Sequence, residues 1–110
     1  MKRDRLLSLL GLAAKAGQVQ SGEFMVEKTV KARKGCLVIV ATDTSDASKK
    51  SYRDMCKFYH TPIIEYSTKD ILGVSIGKQM RACVVVTQEG FANSILDLWK
   101  ELSEDAEVIK

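Results

Sequence analysis

The chain has 110 residues and a mass of 12.2 kDa, one domain's worth of sequence and enough to bury a single core without cross-links. A hydrophobic fraction of 45% and a charged fraction of 28% fit neither a disordered chain nor a membrane span, and no apolar run nears the roughly 20 residues a spanning helix needs. Seventeen Lys and Arg against fourteen Asp and Glu leave a formal charge of +3, with a pI near 8.8, which hints at a polyanionic partner.

In chain order, Leu6, Leu10, Ala13 and Ala14 fall on one helical face, predicting an amphipathic helix over roughly the first fifteen residues that stops at Gly17. Its start, Met1-Lys2-Arg3-Asp4-Arg5, is charged like a signal peptide, but Asp4 and Lys15 interrupt the apolar stretch, which reads as part of the fold. Gln18-Val19-Gln20 is short and extended. Ser21 or Gly22 then opens a second helix, with Glu23 in its first turn, expected to run to about Lys34 and to be closed by Gly35. Cys36-Leu37-Val38-Ile39-Val40-Ala41 is apolar and β-branched throughout, the pattern of a central strand buried on both faces.

Thr42 to Ser45 supply a turn and an N-cap, after which Tyr52, Met55, Cys56 and Tyr59 stripe a third helix whose other faces carry Lys49, Lys50, Arg53 and Lys57. Pro62 leads into the strand Ile63-Ile64-Glu65-Tyr66, and Ser67 or Thr68 caps a helix ending around Gly77. Ala82 to Thr87 is the last strand, and Phe91, Ile95, Leu98 and Trp99 stripe a terminal helix over about 90–102, followed by an acidic tail over 103–110. Helices and strands therefore alternate along a single domain spanning 1–110. This order implies helices on both faces of a small four-stranded sheet, mostly parallel or mixed, in a three-layer α/β/α sandwich.

Residues able to carry chemistry are few. His60 is the sole histidine, and its i, i+4 spacing from Cys56 could place two metal ligands on one helix face, but neither Cys-x-x-Cys nor a second histidine completes a site. Neither Gly-rich phosphate motif occurs, since Gly73 and Gly77-Lys78 lack the spacing. Asp43, Asp46, Asp54 and Asp70 fall at caps or on polar faces. The odd set Cys36, Cys56 and Cys83 reads as reduced, buried thiols of a cytoplasmic protein. No catalytic residue, metal or cofactor is expected, and neither a membrane nor DNA is expected as a partner.

Charge position says more than the sum. Residues 1–35 carry eight basic side chains against three acidic ones, a balance of +5, whereas residues from 91 onward balance at −3. Lys28 and Lys31 lie on the second helix, whose N-terminus at Gly22 offers backbone N–H groups to phosphate.

The joint spacing of Gly22, Lys28, Gly35, Leu37 to Ala41, Asp43, Cys56, Pro62 and Leu72-Gly73-x-x-x-Gly77 resembles the ribosomal protein L7Ae and L30e superfamily. Ser21-Gly22-Glu23 and Thr87-Gln88-Glu89-Gly90-Phe91 bring it nearest to the small bacterial YlxQ-like branch, and the resemblance covers about residues 5–100. It implies an L30e-like α/β/α fold that binds RNA kink-turns or related bent RNA, with ribosomal RNA and ribosome association among the expectations. In that family the second helix opens with G-x-N-E-x-x-K, whose Asn, Glu and Lys contact sheared G·A pairs and nearby phosphates. A loop after the fourth helix sets apolar side chains against an extruded base.

By position the resemblance implies RNA contacts from Gly22, Lys28 and Lys31, from Lys78, Met80 and Arg81 in the loop, and from Glu23 and Phe24 as base contacts. Phe24 stands at the Asn position and Met25 at the Glu position, and neither makes those edge hydrogen bonds. Phe24 can instead stack on an unpaired base, or both can pack. A register shifted to put Glu23 in the Glu role gives up the Gly22 and Lys28 match. The alternative is a protein-interaction module of the same fold that has lost kink-turn recognition, favoured if Phe24 and Met25 are both exposed.

Overall fold

The computed structural model describes the backbone of residues 4–109 and the side chains of residues 4–102. Lys2, Arg3 and Lys110 of the charge count lie outside the described residues. Five helices alternate with four strands: α1 (Arg5–Lys15), β1 (Val19–Ser21), α2 (Glu23–Lys31), β2 (Leu37–Val40), α3 (Asp46–Tyr59), β3 (Ile63–Glu65), α4 (Lys69–Ser75), β4 (Cys83–Val86) and α5 (Glu89–Ile109). Asp4, Ser45 and Thr68 cap α1, α3 and α4 by accepting from backbone N–H groups three residues on.

The strands form one mixed sheet in the order β1-β4-β2-β3, in which β2 and β3 pair in parallel and β4 runs antiparallel to both β1 and β2. Strands β1, β2 and β3 thus share one direction, as the alternation with helices predicts, and β4 enters between two of them reversed. The reversal follows from where the chain re-enters the sheet: Arg81 N donates to Lys69 O at 3.0 Å, back at the start of α4, so the loop after α4 returns to the end of the sheet that β3 left. β4 therefore begins beside the end of β2, where Ala41 N donates to Ala82 O at 2.8 Å.

Alternation along the two central strands splits the core between the sheet's faces. Leu37, Ile39, Val84 and Val86 pack with Leu6, Leu10, Leu72, Ala92 and Ile95 beneath α1, α4 and α5. Val38, Val40, Cys83 and Val85 pack with Val26, Val30, Tyr52 and Cys56 beneath α2 and α3. These are the three layers expected.

Two boundaries differ from the sequence reading. α2 ends at Lys31 rather than near Lys34, and the left-handed residue that turns the chain is Arg33, at φ 59°, not Gly35. Gly35 serves a different need: a Cβ there would lie 2.9 Å from Val85 Cγ2, so the chain passes over β4 too closely for a side chain. The terminal helix does not stop near 102 but continues through Ile109, since no Gly or Pro follows residue 102 to end it. Of the cysteines, Cys56 and Cys83 are buried and Cys36 is partly exposed; all three are free thiols.

Candidate nucleic-acid interface

The N-terminus of α2 is built by a glycine. Gly22 sits at φ 90° and ψ 155°, in the region that L side chains rarely adopt, and its N–H donates to Cys83 O at 3.1 Å, anchoring the turn to β4. No side chain caps the helix, and the first helical bond runs from Val26 N to Gly22 O. The N–H groups of Glu23, Phe24 and Met25 are consequently left facing outward at the positive end of the helix dipole.

Side chains on this turn divide sharply. Phe24 is 74% exposed, a large cost in ordered apolar surface for a residue that takes no part in the core. Met25 is only half-exposed and lies over the groove toward Gln20 and Lys28. Glu23 and Lys28 are exposed. Lys31 is exposed too, but it lies at the opposite end of the helix and pairs with Glu27 at 2.7 Å, which raises its pKa.

The second segment is the loop between α4 and β4. Lys78 N donates to Gly73 O at 2.9 Å, and the loop backbone passes so close to α4 that a Cβ on Gly73 would come within 1.8 Å of Gln79 O. Met80 stands out from this loop 58% exposed, and Lys78 is exposed beside it. Arg81 turns back: its Nε donates to Ser21 Oγ at 3.1 Å, and its Nη1 donates to Met80 O at 2.9 Å and Gln79 O at 3.4 Å.

Ser21, read in the sequence only as a candidate opener of α2 and as part of the Ser21-Gly22-Glu23 motif, thus joins the two segments. The segment Gly22-Glu23-Phe24 that follows Ser21 and the Met80-Arg81 end of the loop adjoin at this bond; Lys28 lies farther along α2, and Lys31 at its far end. Arg81 fastens the loop with Nε and Nη1, leaving its Nη2 hydrogens for an anion. No signal in the sequence marks the bond between Ser21 and Arg81, because the two are sixty residues apart.

Chemistry beyond binding finds little support. Burial pushes the Cys56 thiol up to about 11, and raises those of Cys36 and Cys83, so all three stay protonated near neutrality. Among the described residues no three His, Cys, Asp or Glu side chains converge as a metal site, and no helix is long and apolar enough to cross a membrane. His60, in the left-handed conformation at the end of α3, is exposed. A cleft of about 750 Å³ between α1 and α4 offers only Asp4 and Lys15 as charged lining groups.

The sequence profile of the family described as ribosomal protein L7Ae/L30e/S12e/Gadd45 matches residues 4–96. The chain is 40% identical to the RNA-binding protein YlxQ of Bacillus subtilis (strain 168) over 90 residues, which are 82% of this chain and 90% of that one. It is 30% identical to the RNA-binding protein YlxQ of Enterococcus faecium over 96 residues, 87% and 92% of the two chains. Among solved structures, a Bacillus halodurans protein of unknown function superposes with a TM-score of 0.84 at 36% identity, covering 87% of this chain and 97% of that one. The 15.5kD RNA binding protein of Giardia lamblia shares the fold, with a TM-score of 0.74 at 18% identity over 94% and 92% of the chains. The matched residues 4–96 take in α2, the central strands and the loop before β4 that frame the interface, and the chain belongs to the ribosomal protein L7Ae/L30e/S12e/Gadd45 family.

Proposed function

We propose that this protein is a non-catalytic binder of structured RNA that recognises a kink-turn or a related bent RNA, ribosomal RNA included, and associates with the ribosome. The observation that carries the reading is the Arg81–Ser21 hydrogen bond, which makes one surface of the uncapped α2 N-terminus and the Gly77–Arg81 loop. On that surface the backbone N–H groups after Gly22 and the side chains of Lys28, Lys78 and Arg81 take phosphates, while Phe24 and Met80 offer apolar faces to unstacked bases. The relatives named as RNA-binding proteins support the partner class, and neither they nor the family bear an enzyme's name.

With Phe24 and Met25 at the positions where the family carries Asn and Glu, base-edge hydrogen bonds give way to stacking and shape. Binding therefore discriminates RNA by its bend more than by its sequence. The test is a titration of a kink-turn RNA and a plain duplex of equal length across a range of salt. Tighter binding to the kink-turn, with affinity falling as salt rises, is expected. Equal affinity for both RNAs removes shape recognition, and affinity indifferent to salt removes the basic face.

A protein-interaction reading draws on a different surface. Leu12 and Val74 are 56% and 65% exposed along the α1–α4 cleft. Capture of a protein partner that survives ribonuclease treatment and is lost on Val74→Asp would favour it over the RNA reading.

A further inference from the structure

A second groove lies on the other flank of α2, between that helix and β1, an edge strand of the sheet, with a volume of about 580 Å³. Its walls include Gln20, Met25, Lys28, Arg33, Lys34 and Cys36. Three of its lining residues are cationic and none is a carboxylate; Glu89, near enough to act on the Cys36 thiol, stands outside the lining. Lys28, Arg33 and Lys34 take part in no ion pair among the described residues, unlike Lys31, which Glu27 holds.

Arg33 is the most strictly placed of the three. Its backbone adopts the left-handed conformation at φ 59°, which is costly for a residue with a Cβ, and its guanidinium lies 5.4 Å from the centre of the Tyr59 ring. Contact with the aromatic ring restrains the guanidinium at this position. Tyr59 is itself braced edge-on by Phe58, ring centres 4.9 Å apart. A positive charge is thus held in place at the C-terminal end of α2, where Lys34 follows it.

The groove shares Met25 and Lys28 with the helix that forms the candidate interface, and the nine residues of α2 span about 13 Å. A strand seated at Gly22 and Phe24 that continues along the helix passes Lys28 and reaches Arg33. We propose that this groove is a second phosphodiester site, taking the backbone of the RNA strand that leaves the α2 N-terminus, with Arg33 and Lys34 neutralising phosphates beyond the bend. The proposal rests on the RNA-binding reading above but not on kink-turn recognition. An unbroken set of cations without carboxylates suits a repeating anionic backbone.

The test uses two RNAs, a hairpin holding only the bend and the same hairpin with a longer flanking helix, titrated against wild type, Lys34→Gln and the Arg33→Gln/Lys34→Gln pair. Neutralising two phosphate contacts makes the log–log salt dependence on the longer RNA shallower by about 1.4–1.8, with the short RNA unaffected. Lys34→Gln alone gives about half of that change, and it guards against any effect of the Arg33 replacement on folding. In wild-type protein, alkylation of Cys36, the one cysteine not buried, is slowed by the longer RNA and not by the shorter.

Unchanged affinity and salt slope on the longer RNA would overturn the proposal. So would equal weakening of both RNAs, which marks a diffuse field, or tight binding of a polyglutamate probe that blocks Cys36 alkylation while RNA does not. Phe24→Ala separates the two readings: if it leaves the short RNA bound as before while Lys34→Gln still weakens the longer one, the bend reading fails and the groove stands.

Discussion

Arg81 and Ser21 meet through a single 3.1 Å hydrogen bond, and through it the loop before β4 is held against the residue that precedes the α2 N-cap. Because the donor is charged and the site half-buried, a double-mutant cycle of Ser21→Ala and Arg81→Ala is expected to give a coupling of about 1 kcal/mol in urea unfolding. Each single variant should also weaken RNA binding, since either one frees the loop. A coupling indistinguishable from zero would mean that the two segments are positioned independently.

Phe24 protrudes into solvent and supports nothing in the core. Phe24→Ala should leave stability within about 0.5 kcal/mol of wild type, checked by thermal unfolding. If an RNA base stacks on the ring, the same change weakens binding by about 1–3 kcal/mol in a titration. Lost stability with unaltered affinity would reverse that assignment.

Gly73 has no room for a methyl group, with Gln79 O lying 1.8 Å from where a Cβ would sit. The obstacle is backbone and cannot rotate away, so Gly73→Ala should displace the Gly77–Arg81 loop and cost about 1–3 kcal/mol of stability. A lowered Tm together with weakened RNA binding is expected. An unchanged Tm would show that the loop yields at no cost.

Alkaline stability carries a signature of the α3 face of the core. The Cys56 thiol is pushed by burial from 9.0 to about 11, so the unfolded chain gives up its proton first as pH rises. This contribution is whole below about pH 9 and is lost on the way to pH 11, at up to about 1.4 kcal/mol per unit. Buried Tyr52 and Cys83 add slopes of the same sign, and the diagnostic quantity is therefore the difference between wild type and Cys56→Val in urea midpoints over that range. Parallel pH profiles for the two proteins would contradict it.

Elements governed by local pattern were legible in the sequence. The amphipathic stripe of α1, the continuous apolar runs of β2 and β4 and the caps at Ser45 and Thr68 all reflect neighbours within a few residues. The reversed entry of β4 was not, because it depends on where the chain emerges from α4, a matter of the Arg81–Lys69 backbone contact. The end of α2 was misplaced for a related reason: a glycine after a helix usually signals its left-handed closure, but here Gly35 answers to Val85 across the sheet and Arg33 makes the turn. Of the candidate site, the residues on α2 and on the loop could each be named, but their union through Ser21 needed the fold.

The position of β4 bears on how the chain is made as well as on how it stands. Among the described residues, the four of β4 supply the only ladder partner of β1 and one of the two partners of β2, and they come after more than eighty others. A nascent chain that ends before Val86 holds β1 without a neighbour and leaves the apolar undersides of α1 and α2 uncovered by a finished sheet. Cooperative folding is thereby deferred until β4 has been made, and a truncation in α4 should yield an open, protease-sensitive chain rather than a smaller version of the native one.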